Sequence, residues 1–274
     1  MLDNRFLWVS LSGEINVLLT FDFEEWEGSY TIYQADLFTK TQRVVNLLLE
    51  HQVAATFFLD AYTCQKYPSA IRLVYEAGFE LALHSDYHPG APVAFSENGS
   101  GQLMQVSDFR QDTETQIRRM QRAITMIRGI VPDFKPRGFR APDLKWNEEL
   151  YDALSKVGFT YDSSQKKDSF HPFTKNGVTV IPVNCGDYDS ACYKMRPQYV
   201  VSVWKENVER ARREAARSGI AHFVILAHPS VSGKKRYLGM LKAILNHLTW
   251  MNVKFLTCGE LDKAYRSQAS SEQS

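Results

Sequence analysis

The segment VLLTFDF, Val17 to Phe23, decides the fold, because an apolar run of this length flanked by polar residues is typical of a strand buried in a sheet. Comparable runs recur along the chain and predict further strands: Ala54–Leu59, Glu80–Leu83, Val178–Val183, Phe223–Ala227, Val253–Thr257, and shorter ones in GFRAP around Arg140 and FTYDSS around Asp162. Segments with the spacing of amphipathic helices separate them: Leu37–Glu50, Ser69–Ala77, Ser107–Ile130, Asn147–Val157, Val203–Arg217 and Arg236–His247.

Strand and helix candidates alternate along the chain, which predicts an α/β fold with a mainly parallel sheet covered by helices. With seven or eight strands in one series, we expect that sheet to close into a barrel. No linker rich in proline, glycine or serine divides the chain, so residues 1–266 are predicted to form a single domain. The last residues, SQASSEQS at 267–274, are predicted to be disordered, and Pro89–Gly101 is predicted to be the longest irregular loop.

The composition is that of an ordinary globular protein, with 44% hydrophobic and 23% charged residues. The 32 lysines and arginines are balanced by 31 aspartates and glutamates, which argues against a nucleic-acid partner because such proteins carry a basic excess. No segment reaches the roughly 18 apolar residues of a membrane span, and the first residues lack the features of an export signal. We therefore expect a cytoplasmic protein whose four cysteines are reduced; its oligomeric state is left open.

Ionisable side chains stand at the ends of four predicted strands: Asp22, Glu24, His84, His88, Arg140 and His228. In a barrel of alternating strands and helices, catalytic groups collect at the carboxyl ends of the strands, where the loops converge. A random scatter of polar residues would not favour one end of four strands. These six residues are therefore the candidates for a functional site.

His84 and His88 are candidate metal ligands. They end the segment ELALHSDYH and lie four residues apart, which is one helical turn, so both imidazoles can face a single centre. A lone histidine near an apolar strand is more often satisfied by hydrogen bonds, but the spacing and the shared strand end favour a ligand pair. Two ligands do not complete a site, so a third has to come from another segment.

The other candidates carry weaker signals when each is taken alone. Asp22 and Glu24 follow an apolar run, where carboxylates are costly unless they are paired or metal-bound, but a surface acid or a helix cap is equally consistent with the sequence. Arg140 is expected to orient a buried carboxylate, against the alternative of a surface arginine. His228 follows VILA, and a hydrogen-bonded core histidine is its alternative.

Four segments together resemble the polysaccharide deacetylase family: TFDFEEW, HSDYH, GFRAPD and VILAHPS. HSDYH fits the family's pattern of His, Ser or Thr, two further residues and His, and the resemblance extends from about Val17 to about Leu261. It implies a distorted (β/α) barrel with about seven parallel strands, and one divalent metal ion, usually zinc, bound by an aspartate and two histidines. A further family motif, an acid-rich segment ending in Trp, is not convincingly present; Cys185–Asp189 occupies its region.

Carried over residue by residue, the resemblance implies a role for each candidate. His84 and His88 would bind the metal, and Asp22 would be the catalytic base. Arg140 would hold that base, and His228 would be the general acid.

The first motif departs from the family's usual pair of adjacent aspartates, because this chain has Asp22-Phe23-Glu24-Glu25. A subset of the family separates the two acids by one residue, and alternate residues of a strand share a face. Glu24 is therefore expected to be the third metal ligand, with Glu25 or Asp22 itself as the alternatives.

The resemblance implies a metal-dependent deacetylase that hydrolyses the N-acetyl amide of an amino sugar or of an N-acetylated oligosaccharide. Aromatic residues near the site, Trp26, Tyr30, Tyr87 and Trp146, are candidates for stacking on sugar rings, although core packing is the commoner role of such side chains. Two alternatives stay open: a cyclic-amide hydrolase or deformylase of the same fold, and a catalytically inactive relative that binds metal or carbohydrate.

Overall fold

The segment Val17 to Phe23 belongs to the third strand from one edge of a ten-stranded sheet. The computed structural model describes residues 13–24, 36–89, 92–94, 103–105, 109–186, 197–251 and 253–271. Its strands are β1 Glu14–Phe23, β2 Ala55–Asp60, β3 Glu80–Ser85, β4 Pro92–Ala94, β5 Leu103–Gln105, β6 Gly138–Phe139, β7 Tyr161–Asp162, β8 Phe173–Lys175, β9 Val178–Val180, β10 Cys185–Gly186, β11 Ile220–Ala227 and β12 Lys254–Phe255. The helices are Leu37–Glu50, Ala61–Lys66, Pro68–Glu76, Thr113–Arg128, Glu149–Val157, Pro197–Ser218, Pro229–Ser232, Lys235–Trp250 and Cys258–Ser271, with a 3₁₀ turn at Pro142–Leu144.

The strands of the large sheet lie in the order β10-β11-β1-β2-β3-β6-β7-β9-β8, and β12 pairs with the first half of β1. Neighbouring strands run parallel except β8 and β9, which are antiparallel. The sheet curls into a half-barrel, which confirms the distorted (β/α) barrel expected from the sequence. Over the described residues its outer strands, β10 and β8, do not pair with each other, so the expected closure is incomplete.

Both faces of β1 are buried, and each face packs into a different apolar cluster. Alternate residues of a strand point to opposite faces. The residues Val17, Leu19, Phe21 and Phe23 join the main hydrophobic core formed with the helices. Leu18, on the other face, belongs to a smaller apolar cluster inside the curl of the sheet, together with Phe58, Ala82, Tyr161, Val224 and Leu226. Thr20, Asp22 and Glu24 follow Leu18 at every second position and therefore share its face. The apolar cluster thus lies directly below these polar residues.

Some local elements differ from the sequence-based expectation. The strand predicted at Val178–Val183 ends at Val180, and the one at Val253–Thr257 contains only two paired residues. The hairpin of β8 and β9 was not predicted, although its turn residues Asn176 and Gly177 form the dipeptide most typical of tight hairpins. Their φ angles of 47° and 75° are the left-handed values that such a turn requires.

The chain ends and the long loop also differ from expectation. The last helix, Cys258–Ser271, includes residues 267–271 of the tail for which disorder is expected, and residues 272–274 lie outside the described residues. The predicted irregular loop Pro89–Gly101 contains β4, which pairs with β5 just beyond the end of that loop. In the described part of the chain, no helix combines the length and apolar character needed to cross a bilayer.

Gly138 in β6 provides a test of this packing. A Cβ at this position would overlap the ring of Tyr161, which is fully buried and whose hydroxyl donates a hydrogen bond to Glu80 Oε1 at 3.1 Å. Because the ring cannot move away freely, Gly138→Ala should lower the free energy of unfolding by about 1–3 kcal/mol. Urea denaturation followed by circular dichroism measures this change.

The matched control is Gly239→Ala in the helix Lys235–Trp250, where an added Cβ meets no heavy atom within 4 Å. Because alanine favours a helix interior over glycine, this control should raise the free energy of unfolding by up to about 1 kcal/mol. Equal effects of the two substitutions would contradict the packing described for β6 and β7.

Candidate functional site

The six strand-end candidates are all buried and lie at the carboxyl ends of neighbouring strands of the sheet. Leu83 of β3 pairs with Phe139 of β6, and the Arg140 amide donates to the Leu83 carbonyl at 2.9 Å. His84 and Arg140, each one residue further along, therefore stand side by side. The parallel sheet thus gathers residues that are up to about two hundred positions apart in sequence at one edge.

Glu24, His84 and His88 form a compact cluster. Glu24 Oε2 lies 2.8 Å from His84 Nε2 and 3.1 Å from His88 Nε2. One ligand atom from each residue can be chosen so that all three lie within 4.8 Å of one another. His84 belongs to a strand and the residues after it form a bend, so the two imidazoles converge without the helical turn suggested by their spacing.

The hydrogen bonds of the two imidazoles favour a cation between them and Glu24. His84 Nδ1 donates to the Arg140 carbonyl at 2.8 Å, and His88 Nδ1 donates to the Pro89 carbonyl at 3.1 Å. Carbonyl oxygens only accept, so in a neutral ring each Nε2 carries a lone pair that faces the Glu24 carboxylate. His88 Nε2 is buried and finds no hydrogen-bond partner within the described residues. A carboxylate with two such nitrogens fits a divalent cation, zinc in particular.

The pKa of Glu24 also indicates a carboxylate that is charged in the folded protein. Burial raises its pKa, but the charge of His88 and hydrogen bonds with His228 and His84 outweigh burial and hold the pKa of Glu24 well below its usual range. His228 Nε2 lies 3.4 Å from Glu24 Oε1, the carboxylate oxygen that faces away from the other two rings. Glu24 is therefore an anion that contacts three imidazoles.

Asp22 and Arg140 form a buried ion pair next to this cluster. Arg140 Nη1 donates to Asp22 Oδ1 at 2.7 Å and to Thr20 Oγ1 at 2.9 Å. Its Nε and Nη2 donate to the carbonyl and the hydroxyl of Ser163 at 3.1 and 2.9 Å, and its guanidinium lies 4.0 Å from the centre of the Phe58 ring. With all three nitrogens engaged, the guanidinium has one orientation, and so has the carboxylate that it holds.

A cavity of about 200 Å³ opens over these groups, and it is lined by Asp22, Glu24, Asp143, Leu144, Lys166, Val183, Cys185, Gly186, Leu226 and His228. Two charged lining residues, Asp143 and Lys166, were not predicted as site residues. Asp143 Oδ1 lies 3.5 Å from His88 Nε2, and Asp143 Oδ2 lies 3.1 Å from Lys145 Nζ. Its place in the segment GFRAPD was a usable signal, whereas Lys166 stands in a loop with no motif of its own.

The aromatic residues expected near the site do not line the cavity where they can be located. Tyr87 packs against Tyr62, with ring centres 5.6 Å apart, and Trp146 packs against Tyr151 at 5.7 Å. Trp26 and Tyr30 lie outside the described residues, as do Glu25, the alternative acidic ligand, and residues 187–189. Sugar stacking on Tyr87 or Trp146 therefore finds no support in the geometry.

Comparison with known proteins agrees with the fold and the motifs. The sequence profile of the family described as polysaccharide deacetylase matches residues 12–161, which is more than half of the chain. A chitooligosaccharide deacetylase from Sinorhizobium fredii is 29% identical over 147 residues, which cover 54% of this chain and 55% of that protein. The match thus spans about half the length of this curated relative.

Solved structures share the fold over nearly the whole chain. A putative polysaccharide deacetylase from Mycobacterium smegmatis superposes with a TM-score of 0.74 at 22% identity, covering 94% of this chain and 92% of the other. The allantoinase Puue superposes with a TM-score of 0.73 at 15% identity, covering 95% and 92%. At these identities the likeness shows the fold alone.

Asp60, the last residue of β2, is a further buried acid near the histidines. Its Oδ1 accepts hydrogen bonds from the amide and the hydroxyl of Thr63 at 2.8 and 2.7 Å, which caps the helix Ala61–Lys66. Its Oδ2 has no hydrogen-bond partner among the described side chains and backbone groups. Burial raises the pKa of Asp60 to about 7, against the opposing effects of Thr63 and the two histidines.

The raised pKa of Asp60 predicts a specific dependence of stability on pH. Because the folded state holds this proton up to about pH 7 and the unfolded state releases it near its ordinary pKa of about 4, the contribution of Asp60 to stability falls as the pH rises between those values. Asp60→Asn keeps an oxygen that can cap the helix and removes the titration. The difference in the free energy of unfolding between the metal-free variant and parent should therefore grow in favour of the variant from pH 4.5 to pH 7. A difference that stays constant over this range would contradict the assignment.

Proposed function

Since the chain belongs to the polysaccharide deacetylase family, we propose that it is a metal-dependent amide hydrolase that removes the N-acetyl group from an amino sugar or an N-acetylated oligosaccharide. The observation that carries the proposal is the buried cluster of Glu24, His84 and His88 beside the Asp22–Arg140 ion pair. Asp22, Glu24 and His228 line one cavity above it. A carbohydrate-binding protein would not need a buried ion pair and three imidazoles arranged around a single carboxylate.

In this proposal Glu24, His84 and His88 hold one divalent cation, which we expect to be zinc. A cation in such a site would act as a Lewis acid and would lower the pKa of water far below its ordinary value, towards about 7. The carbonyls of Arg140 and Pro89 keep the Nδ1 proton on each imidazole and leave Nε2 for the metal.

Asp22 is the proposed general base. Its carboxylate lines the cavity, and Arg140 fixes the orientation of that carboxylate through Oδ1. In hydrolysis one water adds to the acyl carbon and loses a proton, and Asp22 accepts that proton as the C–O bond forms. Because Arg140 has no exposed surface, its charge balances the carboxylate at short range without competition from solvent.

His228 is the proposed general acid. An amine is a poor leaving group unless its nitrogen gains a proton before the C–N bond breaks. His228 lines the same cavity from the end of β11, with its Nε2 3.4 Å from Glu24 Oε1, and in its protonated form the ring would supply this proton. The products are then acetate and the free amine, with one water consumed.

A second candidate function is hydrolysis of a cyclic amide. The allantoinase with the same fold supports keeping this candidate, because allantoinases open a ring amide, although the identity of 15% transfers no substrate. Two further alternatives are a deformylase and a catalytically inactive protein that binds metal or carbohydrate. The cytoplasmic location inferred from the sequence stays a prediction.

The deciding experiment incubates the zinc-loaded protein with a panel of amides: N-acetylglucosamine oligomers, N-formyl amino sugars and cyclic ureides. Release of acetate from the acetylated sugars, abolished by a chelator and restored by zinc, is the expected result. Formate release would support a deformylase, and ring opening without acetate would support the cyclic-amide hydrolase. Absence of turnover on the whole panel in protein that demonstrably binds zinc would overturn the proposed activity.

Two substitutions test the proposed roles on whichever amide is turned over. Asp22→Asn and His228→Ala should each lower kcat by about 10²–10⁴-fold, because each removes a proton-transfer group without removing a proposed metal ligand. Bound zinc, measured by atomic emission after gel filtration, should stay near the parent value in both variants. A variant that keeps its turnover would show that its residue has been given the wrong role.

The matched control for these variants is Asp168→Asn, which alters a side chain that is 74% exposed and does not line the cavity. This control should leave both kcat and bound zinc unchanged. If Asp22→Asn instead loses its zinc, Asp22 is the acidic ligand and Glu24 is not.

A further inference from the structure

The three residues between the proposed histidine ligands are held in place as a unit. Asp86 is fully buried, and its backbone carbonyl accepts from the Tyr62 amide at 3.0 Å. Its Oδ1 accepts from the Tyr87 amide at 2.8 Å, and the Ser85 hydroxyl donates to the Tyr87 carbonyl at 2.8 Å. The bend that carries His84 and His88 therefore has an internal hydrogen-bond network of its own.

Two arginines of the helix Thr113–Arg128 reach into this bend. Arg119, of which 7% of the side chain is exposed, donates from Nε to Asp86 Oδ1 at 2.8 Å. Its Nη2 lies 3.2 Å from the Tyr87 carbonyl and 3.4 Å from the Ser85 hydroxyl, so one guanidinium contacts all three linking residues. Arg122 donates from Nε to Asp86 Oδ2 at 3.1 Å, and its Nη2 also contacts that oxygen.

The surroundings of the two guanidinium groups restrict them further. The Arg119 guanidinium lies 4.6 Å from the centre of the Phe109 ring, and the Arg122 guanidinium lies 5.2 Å from that of Tyr87. Together with Asp86 they form a cluster of two cations and one anion that is buried except for the outer arginine, which is 45% exposed. Removing charges from water is costly, and here the two ion pairs and the hydrogen bonds to the bend compensate that cost.

We propose that Arg119 and Arg122 are positioning residues that clamp Asp86, fix the bend between His84 and His88, and thereby set the affinity of the site for a divalent cation. The inference rests on the metal centre of the proposed function. Neither arginine is within the proposed ligand set, and both act through the backbone that carries the ligands. Outer groups that orient metal ligands typically change metal affinity by about 10–100-fold when they are removed.

Zinc binding to the metal-free protein, residues 1–274, tests the proposal; competition with a chromophoric chelator measures it. Arg119→Met, which keeps much of the side-chain volume and removes every donor, should raise the zinc Kd by about 10–100-fold. The visible spectrum of the cobalt-substituted variant should also differ in intensity from that of the parent, because it reports the arrangement of the ligands. Arg119→Lys keeps the charge but cannot contact three residues at once, so its zinc Kd should lie between those of the parent and Arg119→Met.

The control separates positioning from a general loss of stability. Arg137 resembles Arg122, since 52% of its side chain is exposed and it pairs at 3.2 Å with a fully buried aspartate, but that aspartate is Asp262 and not a residue of the bend between His84 and His88. Arg122→Met should raise the zinc Kd, whereas Arg137→Met should lower stability and leave the zinc Kd unchanged. If Arg119→Met does not fold, the comparison of these two outer variants decides the question.

The outcomes distinguish this inference from the proposed function. A folded Arg119→Met or Arg122→Met variant with the parent's zinc Kd and cobalt spectrum would overturn the clamp and leave the metal centre standing. An equal rise in Kd for Arg137→Met would also overturn it, because the effect would then follow from stability alone. A parent protein that binds no zinc would overturn the metal centre itself.

Discussion

Burial of the Glu24 carboxylate among three imidazoles is the constraint on which the arrangement of the site depends. Only 3% of this residue is exposed, and taking an ionised carboxylate out of water costs several kcal/mol unless opposite charge compensates it. Nδ1 of His84 and of His88 each donates to a backbone carbonyl, so the neutral rings turn their unprotonated Nε2 towards the carboxylate. That contact is repulsive unless each ring gains a second proton or a cation lies between the groups. Burial lowers the pKa of His84, but attraction to the Asp22 and Glu24 carboxylates outweighs burial and raises it. The carboxylates therefore favour an added positive charge at this position.

Alternate side chains of a strand point to the same face, which explains how one face of the sheet carries both an apolar cluster and this charged cluster. On β1 the inner face runs from Leu18 through Thr20 to Asp22 and Glu24, and on β11 it runs from Val224 through Leu226 to His228. Apolar residues occupy the lower levels and ionisable residues the upper level, where the strands end. A shift of one residue in the register of β1 would turn both carboxylates to the helix-packed face, so register and chemistry are linked.

The fold, and the gathering of the six candidate residues at one edge of the sheet, were predictable because both follow from patterns that a sequence displays directly. Apolar runs and helical spacing located the main elements, and the position of ionisable residues at strand ends indicated which side chains the structure brings together. The preference for Glu24 over Glu25 rested on strand geometry, and in the structure Glu24 lies beside both histidines. Their chemical roles stay predictions.

Features that depend on tertiary contacts were out of reach. The last helix continues to Ser271, although the composition of its final residues is typical of a disordered tail. Tertiary contacts hold the start of this helix: the Gly259 amide donates to Glu80. Buried Asp262 accepts hydrogen bonds from Arg137, Thr160 and Thr179. The clamp on Asp86 joins residues more than thirty positions apart, and no local pattern signals it. Asp143 lines the cavity, and both it and Leu144 have left-handed backbone conformations. The spacing of residues in the sequence does not reveal such a backbone path.

The most direct test of the central claim is an anomalous difference map from zinc-soaked crystals, with data collected on both sides of the zinc absorption edge. The account predicts one strong peak at about 2.0–2.2 Å from a Glu24 carboxylate oxygen and from Nε2 of both His84 and His88. A fully soaked crystal with no peak there, or with a peak bound by other side chains, would contradict it.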